Sequence, residues 1–338
     1  MKLMFPELTA TLILLILVCL VLLILDLSIS GVLALATSLP FKKCFCWGLL
    51  SLAIPPLAML YGTLIERNCA QVKQVELHFS ELPEAFDGYR IVQLSDIHSR
   101  SFEGRLKCLG RFVDKVNSLD ADLIAFTGDV ITLHPSELEK TAPVLSKLSA
   151  RDGVVSVLGN HDYGVYSQRT DEAIELEECI AAVADKERQM GWQILMDESV
   201  TIKQSNTDGT IGSIAVIGVE NTTPSPHFDS RGTLAKASEG TDGMFRILLS
   251  HDPMHWDMEV VGKDYPLTLS GHTHAIQFSL FGWCPSRYLF KQYRGLYEAA
   301  SDDLASAQKL YVNIGLGETI FPARIGTPPE ITLITLRR

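Results

Sequence analysis

The chain has 338 residues, 47% of them hydrophobic, and a formal net charge of −11. That length suits one large domain or two small ones. Residues 1–66 carry equal numbers of acidic and basic side chains, so the whole negative excess lies in residues 67–338. General nucleic-acid binding needs a basic surface, so no nucleic-acid partner is expected.

Residues 8–39 are almost unbroken Leu, Ile, Val and Ala, with Asp26 the only charge. A second apolar block, Cys44–Ile65, follows Lys42-Lys43. The first is long enough to cross a bilayer of roughly 30 Å as a helix, and the second is just long enough. A secretory signal competes for the first block, but its apolar core would have only about 7–15 residues. A buried core helix competes for the second, which Pro55-Pro56 would kink; membrane helices tolerate such kinks. The expectation is a multi-pass membrane protein: helices over about 8–39 and 44–65 form an anchor, residues 1–66, and a second domain covers residues 67–338. Lys42 and Lys43 face Lys2, Arg67 and Lys73 across the bilayer, so the positive-inside rule barely chooses an orientation. Asp26 is costly at mid-membrane; it is either functional or close to the end of a shorter helix. Cys69, Cys108, Cys179 and Cys284 are widely spaced, with no CxxC, so neither a zinc knuckle nor a disulfide scaffold is indicated. Free thiols fit a reducing compartment, which leans the second domain to the cytoplasmic side.

From about residue 75 strands and helices alternate. Val75–Phe79 alternates apolar and polar residues, as a half-buried strand should. Tyr89–Leu94 is a short apolar strand ending at Ser95-Asp96. Phe102, Leu106, Leu109, Phe112, Val113 and Val116 recur at three- and four-residue steps, which predicts a core-facing helix. A strand over Asp122–Phe126 ends at Thr127-Gly128-Asp129, and a helix covers Ser136–Leu148. Gly153–Leu158 is a strand ending at Gly159-Asn160-His161. Thr170–Met190 reads as helix, its acidic start a solvated face, and Trp192–Leu195 begins a short strand. Strands follow at Val200–Ile202, Ile211–Val219, Phe245–Leu249, Pro266–Leu269, Leu310–Ile314 and Ile331–Leu336. Residues 221–243, rich in Pro, Ser, Thr and Gly, read as a loop. The pattern predicts an α/β fold of two packed β-sheets with helices outside.

The chemistry-bearing residues share one location. Asp96 and His98, Asp129, Asn160 and His161, His251, then His272 and His274 all follow the C-terminal end of a strand, where α/β sheets bind their ligands. Asp, Asn and His without Cys suit borderline divalent metals such as Mn, Fe, Zn or Co. The one-residue skip in Asp96-Ile97-His98 and in His272-Thr273-His274 lets both side chains of each pair reach one ion. Gly128, Gly159 and Gly271 each precede a candidate ligand and permit sharp turns and close approach. Each motif alone is weak: Asp-x-His after a strand is more often a capped turn, and an isolated histidine, as at His78, His134 or His255, is usually a satisfied surface or core residue. Five such motifs in order, each at a strand end, point to a metal site.

Asp96-x-His98, Gly128-Asp129, Gly159-Asn160-His161-Asp162, His251 and Gly271-His272-Thr273-His274 together resemble the signature of the calcineurin-like metallophosphoesterases. The resemblance spans residues 75–338. It is stronger for a bacterial membrane-anchored subfamily, through Leu82–Gln93, Ser250–Pro253, Gly295–Glu298 and Pro328–Leu333. It implies that fold, two mixed sheets flanked by helices, with residues 67–338 as the catalytic domain. It implies two divalent metal ions, one held by Asp96, His98, Asp129 and His274, the other by Asp129, Asn160, His251 and His272, with Asp129 bridging. His161 would stand beside the pair as the catalytic residue, stabilising phosphoryl oxygens or protonating the leaving group. Two cations roughly 3.5–4 Å apart clamp a phosphoryl group and acidify a shared water into a hydroxide nucleophile. Two positions depart from the family. Thr132 stands where many members have a second aspartate, and Ala275 where close relatives often have glycine.

The expected activity is metal-dependent hydrolysis of a phosphate ester, with a phosphodiester or a lipid-linked or nucleotide-linked compound as substrate. One alternative is a pyrophosphohydrolase of the UDP-diacylglucosamine type, as some relatives are in lipid A synthesis. Another is a non-catalytic metal-binding scaffold, against which stand the complete ligand set and His161. Trp283, Tyr288, Phe290, Tyr293 and Tyr297, with Arg287, Lys291 and Arg294 between them, read either as a core hairpin with solvated basic residues or as an amphipathic lip beside the site. Gly315-Leu316-Gly317 is either a phosphate cradle or a simple turn.

Overall fold

The structure is a computed structural model that describes residues 6–167, 173–206, 208–224, 230–300 and 305–338. The first apolar block forms helix α1, Pro6–Ala36. The second is not one regular helix. It divides into α2, Phe41–Gly48, a 3₁₀ stretch over Leu49–Ala53, and α3, Ile54–Leu64. Pro55 and Pro56 stand in the first turn of α3, where a missing N–H costs nothing to that helix, but they cannot donate back into the preceding turn, where Ser51 O accepts the Ile54 N–H in a 3₁₀ bond instead. Thr11–Ala36 and Phe41–Asn68 are each long and apolar enough to cross a membrane. Their apolar side chains, from Leu12 to Ile65, are largely exposed. Asp26 is an exception. It turns inward against Gly48, where an added Cβ would fall on its carboxylate, and accepts from Ser30 Oγ at 3.2 Å.

After this helical hairpin come β1 (Gln71–His78), β2 (Arg90–Leu94), α4 (Leu106–Asn117), β3 (Leu123–Phe126), α5 (Leu138–Leu145), β4 (Val154–Ser156), α6 (Leu176–Gln189) and β5 (Gln193–Ile194). Then follow β6 (Glu198–Ser205), β7 (Ile211–Gly218), α7 (Leu234–Ala237), β8 (Phe245–Leu249), β9 (Leu267–Ser270), β10 (Gly295–Ala299), β11 (Gln308–Val312) and β12 (Glu330–Arg337). One six-stranded sheet has the order β1-β12-β2-β3-β4-β5, the other β10-β11-β9-β8-β7-β6. Both are mixed. The run β2 to β5 is parallel, with β12 antiparallel to β2; β11, β9, β8 and β7 are parallel, with β10 and β6 antiparallel at the edges.

Alternation along the strands explains the layering. In β2, Ile91 enters the core between the sheets, which also holds Phe79, Ile214, Ile247 and Leu269. Val92 and Leu94 point the other way, into a core with Phe112 and Val116 of α4 and Val183 of α6. A third core, around Leu248, Leu310 and Trp256, covers the outer face of the second sheet. Each such side chain contributes about 1.5–3 kcal/mol by burial. Gln93, fully buried, ties the sheets together by donating to the Ser270 carbonyl at 2.9 Å and to Thr127 Oγ1 at 3.2 Å.

Most expected elements are present with shifted ends. The helix expected over Thr170–Met190 begins at Leu176, and its first three expected residues lie outside the described set. The expected loop 221–243 contains α7, while residues 225–229 lie outside the description. Strand β10 falls where a hairpin or a lip was expected; it pairs antiparallel with β11 and forms the edge of its sheet.

Candidate metal centre

The C-terminal ends of β2, β3 and β4 in one sheet meet those of β8 and β9 in the other. The loops after these strands carry all eight expected residues, and the structure brings all eight together. Five have left-handed backbones: Asp96 (φ 49°), His98 (46°), Asp129 (61°), His272 (75°) and His274 (50°). Such conformations cost on the order of 1–3 kcal/mol each and persist only where surroundings impose them. Here the loops impose them on one another. Asp96 N–H donates to Gly128 O at 2.8 Å, His98 N–H to Asp129 O at 3.0 Å, and Gly271 N–H to His251 O at 2.9 Å. Close packing also explains two glycines: a Cβ on Gly159 would fall on Asp129, and one on Gly271 on Ser95 and Asp96.

The donor atoms form two groups. In the first, His274 Nε2 lies 3.0 Å from His98 Nε2 and 3.2 Å from Asp96 Oδ1. In the second, Asn160 Oδ1 lies 2.8 Å from His272 Nδ1 and 3.1 Å from His251 Nε2. Asp129 Oδ2 stands between them, 3.6 Å from His98 Nε2 and 3.2 Å from His251 Nε2. The triplets Asp96–His98–His274 and Asp129–His251–His272 each gather ligand atoms within 4.8 Å of one another. A third triplet, His98–Asp129–His161, overlaps the first two.

The donor set fits cations. His98 Nδ1 faces the Ile131 carbonyl at 3.1 Å and His251 Nδ1 the Thr127 carbonyl at 2.7 Å. A carbonyl only accepts, so each Nδ1 carries the proton and each Nε2 turns a lone pair into the site. Lone pairs of His98, His251, Asp96 and Asp129 therefore converge, which is repulsive unless positive charge sits among them. The charges around the imidazoles and carboxylates point the same way. Burial opposes charge on His251, yet the Asp129 carboxylate outweighs it and pushes the imidazole up to about 10. Burial likewise opposes ionised Asp96 and Asp129, but the imidazoles of His274 and His251, respectively, hold both carboxyls below their usual range.

His161 stands at the mouth. Its ring stacks on Tyr166 with centroids 4.1 Å apart, and its Nδ1–H donates to the Thr132 carbonyl at 2.6 Å. Burial lowers its pKa to about 3, so it is neutral at pH 7. Thr132 thus supports His161 through its backbone; its own Oγ1 is buried without a partner.

Several residues at the site carried no assigned role in the sequence. Asp162 accepts four backbone N–H bonds, from Asp129, Val130, Ile131 and Gly159, at 2.8–3.0 Å. Every one of these groups donates, so Asp162 is ionised, although burial and the neighbouring Asp129 push its carboxyl upward. Glu137 clamps the next loop by accepting from the N–H groups of Arg100, Thr132, Leu133 and His134. Arg324, fully buried, lies 3.3 Å from His274 Nδ1 and donates to the carbonyls of Gly317, Ile314 and Thr327. Burial pushes its guanidinium down to about 10. Asp162 was visible as the last letter of Gly-Asn-His-Asp; Arg324 and Glu137 sit in no motif, and only the folded loops reveal them.

A cavity of about 320 Å³ opens over the centre, lined by Asp129, Asn160, His161, Tyr166, His272 and His274 below and Ile276, Leu289, Phe290 and Ile320 above. Phe290 meets the His272 ring edge-on at 5.7 Å. Of the aromatic and basic stretch, Phe290 lines the cavity, Trp283 and Tyr288 are exposed, and Lys291 pairs with Asp257. Gly315-Leu316-Gly317 is a turn rather than a cradle: the N–H groups of Leu316 and Gly317 are bonded to the carbonyls of Ser95 and Asp96. Ala275 adopts φ 48°, a left-handed conformation that favours glycine, and is fully buried. His78, His134 and His255 lie away from the centre, against Glu76, Ser136 and Glu259.

Residues 89–275 match the family model for calcineurin-like phosphoesterases. The uncharacterized metallophosphoesterase YkuE of Bacillus subtilis is 32% identical over 82% of this chain and 89% of its own length. The transmembrane protein with metallophosphoesterase domain of Danio rerio is 31% identical over 86% of this chain, which spans only 62% of that protein. The UDP-2,3-diacylglucosamine pyrophosphatase LpxG of Chlamydia trachomatis is 26% identical over 84% of this chain and 94% of its own. With the family model covering more than half the chain and the strand-end loops in place, the chain belongs to the calcineurin-like phosphoesterases and is a phosphoester hydrolase.

Proposed function

We propose that residues 67–338 hydrolyse a phosphodiester or a lipid- or nucleotide-linked phosphate ester with two divalent ions, while residues 1–66 anchor them in a membrane. Asp96, His98, Asp129 and His274 hold one ion; Asp129, Asn160, His251 and His272 hold the other. One observation carries the reading: Asp129 Oδ2 lies within reach of both His98 and His251, so one carboxylate serves both donor groups. The ions, when bound, supply Lewis-acid charge to phosphoryl oxygens and acidify a water. His161 holds its ring toward the cavity through Thr132, so its Nε2 meets the phosphoryl oxygens or the leaving group. Both roles need a proton on Nε2, which the neutral ring gains only beside an anionic substrate.

The test uses the full chain in detergent, loaded with Mn²⁺, on bis(p-nitrophenyl) phosphate. Hydrolysis is expected, and Asp129→Ala should lower it more than the roughly 10–100-fold that outer-shell changes cost. Equal inactivity of both proteins across several metals and generic esters would sink the reading. The similarity to LpxG favours a second reading, cleavage of a diphosphate linkage in a lipid-linked nucleotide. Release of two phosphomonoesters from UDP-diacylglucosamine would decide for it. For the orientation, exposed Cys69 is expected to resist membrane-impermeant maleimide in intact cells if the catalytic domain is cytoplasmic.

A further inference from the structure

A second cavity, of about 270 Å³, lies beside the one over the metal centre, lined in part by Arg67, Arg105, Thr132, Glu318 and Thr319. The two share a wall. Thr132 lines the second cavity and holds His161, which lines the first; Thr319 lines the second and Ile320 the first. The charges around it are unequally committed. Arg105 lies 3.2 Å from both oxygens of Glu318 and also donates to Asn68 Oδ1 and to the carbonyls of Ser101 and Arg67. Arg67 is different. Its Nε donates to the Thr63 carbonyl at 2.6 Å and its Nη1 to the Pro322 carbonyl at 3.0 Å. Among the described residues no carboxylate pairs with it, and its Nη2 has no partner. Thr132 Oγ1, in a residue only 7% exposed that lines the same cavity, also has no partner among the described residues. Three arginines, Arg67, Arg100 and Arg105, line the cavity against two glutamates, Glu103 and Glu318, and Glu318 acts on Arg67 only through its field. A half-buried guanidinium with no carboxylate in hydrogen-bond reach, on a cavity with a net positive lining and an unpartnered hydroxyl, is a receptor for an oxyanion. Arg67 also stands three residues beyond the end of α3, where a membrane-crossing helix leaves the bilayer and lipid phosphates lie.

We propose that this cavity is an anion subsite of the enzyme: Arg67 and Thr132 Oγ1 hold a phosphate group of the substrate one wall away from the phosphoryl group that is cut. The inference rests on the hydrolase reading and narrows its substrate class to compounds with a second anionic group besides the scissile one. A lipid headgroup and a free phosphate compound offer the same chemistry, and the test separates them.

The full chain in neutral detergent, stripped of metal with EDTA so that the metal centre holds no anion, is titrated calorimetrically with dioctanoyl phosphatidate, inorganic phosphate and dioctanoylglycerol. Wild type is expected to bind at least one of the two phosphate probes and not the neutral diglyceride. Arg67→Gln should weaken that binding at least about tenfold, Arg67→Lys less, and Thr132→Val about threefold. Arg337→Gln, a surface change on β12, should leave it alone. Phosphatidate binding tenfold tighter than phosphate assigns a lipid headgroup; equal binding assigns a free phosphate group. No binding of either probe, or wild-type affinity in both Arg67→Gln and Thr132→Val, overturns the subsite. Should Arg67→Gln fail to fold, Thr132→Val still decides. Mn²⁺-dependent hydrolysis of bis(p-nitrophenyl) phosphate by the same preparation reads the metal centre separately. Hydrolysis without anion binding removes the subsite alone, and anion binding without hydrolysis removes the hydrolase reading alone.

Discussion

The strand-end loops and the helical hairpin both bury carboxylates, and the two hold them differently. In the strand-end loops, Asp162 and Glu137 each accept four backbone N–H bonds. In the helical hairpin, Asp26 has only Ser30 Oγ among the described residues, and its Oδ2 has no partner there. The backbone explains the contrast. A loop beyond a strand has N–H groups outside any ladder, free to surround a carboxylate. The N–H groups inside a helix are already bonded to carbonyls four residues back, so Asp26 has only side chains to turn to. The loops can therefore hold a precise array of donor side chains, whereas the hairpin tolerates a single acid by tucking it against a glycine.

After Asp129→Ala, the largest expected effect comes from removing that backbone support. Asp162→Asn puts an NH₂ group among backbone donors and leaves two of them unpaired. It should cost about 3 kcal/mol of stability and about 10–100-fold in hydrolysis, because Asp162 fixes the loops that carry Asp129 and Asn160. Denaturant unfolding and bis(p-nitrophenyl) phosphate kinetics check both. Near wild-type values would mean that the ligands are positioned without it.

The same contrast sorts what the sequence made legible. Asp96, His98, Asp129, Asn160, His251, His272 and His274 were readable because each follows an apolar strand run, and strand ends on the same side of a sheet must meet. Local spacing carried that information. Arg324 and Gln93 donate to main-chain carbonyls, Gly317 in a nearby loop and Ser270 in the other sheet among them. Every residue has a carbonyl, so no residue pattern marks which ones will converge. The edge strand β10 escaped because Gly295–Ala299 has an exposed alternate face and no continuous apolar run. The apolar blocks were legible by length alone, but not their contact at Gly48 or the 3₁₀ stretch before the prolines.

Gly48→Val probes the hairpin half of the comparison with a smaller effect. The new side chain meets the Asp26 carboxylate, an overpacking worth about 1–3 kcal/mol. Cys19 Sγ lies 4.0 Å from the Leu52 carbonyl, so a Leu52→Cys protein treated with copper phenanthroline as oxidant should form a disulfide cross-link between Cys19 and the introduced thiol. Adding Gly48→Val should lower its yield severalfold while hydrolysis in detergent stays unchanged. Loss of activity along with the cross-link would show that residues 1–66 and 67–338 are not separate units.

Glu187 sharpens the comparison from α6, because it is a buried carboxyl on a helix outside the hairpin. It accepts from Ser156 Oγ at 2.5 Å, and its Oε1 has no partner. Burial pushes its pKa well above the usual range, and the Asp162 charge adds to the push. The folded chain therefore keeps a proton that the unfolded chain releases above about pH 4.3. Its contribution to stability is fully present below that pH and declines as pH rises toward the folded-state pKa. Glu187→Gln keeps the Ser156 bond and removes the titration. The melting temperature of the full chain should then change little at pH 4 and rise at pH 8, by about 2–4 °C for each kcal/mol relieved. An equal change at both pH values would mean that Glu187 is ionised in the fold, and that helices here can satisfy a buried charge as the loops do.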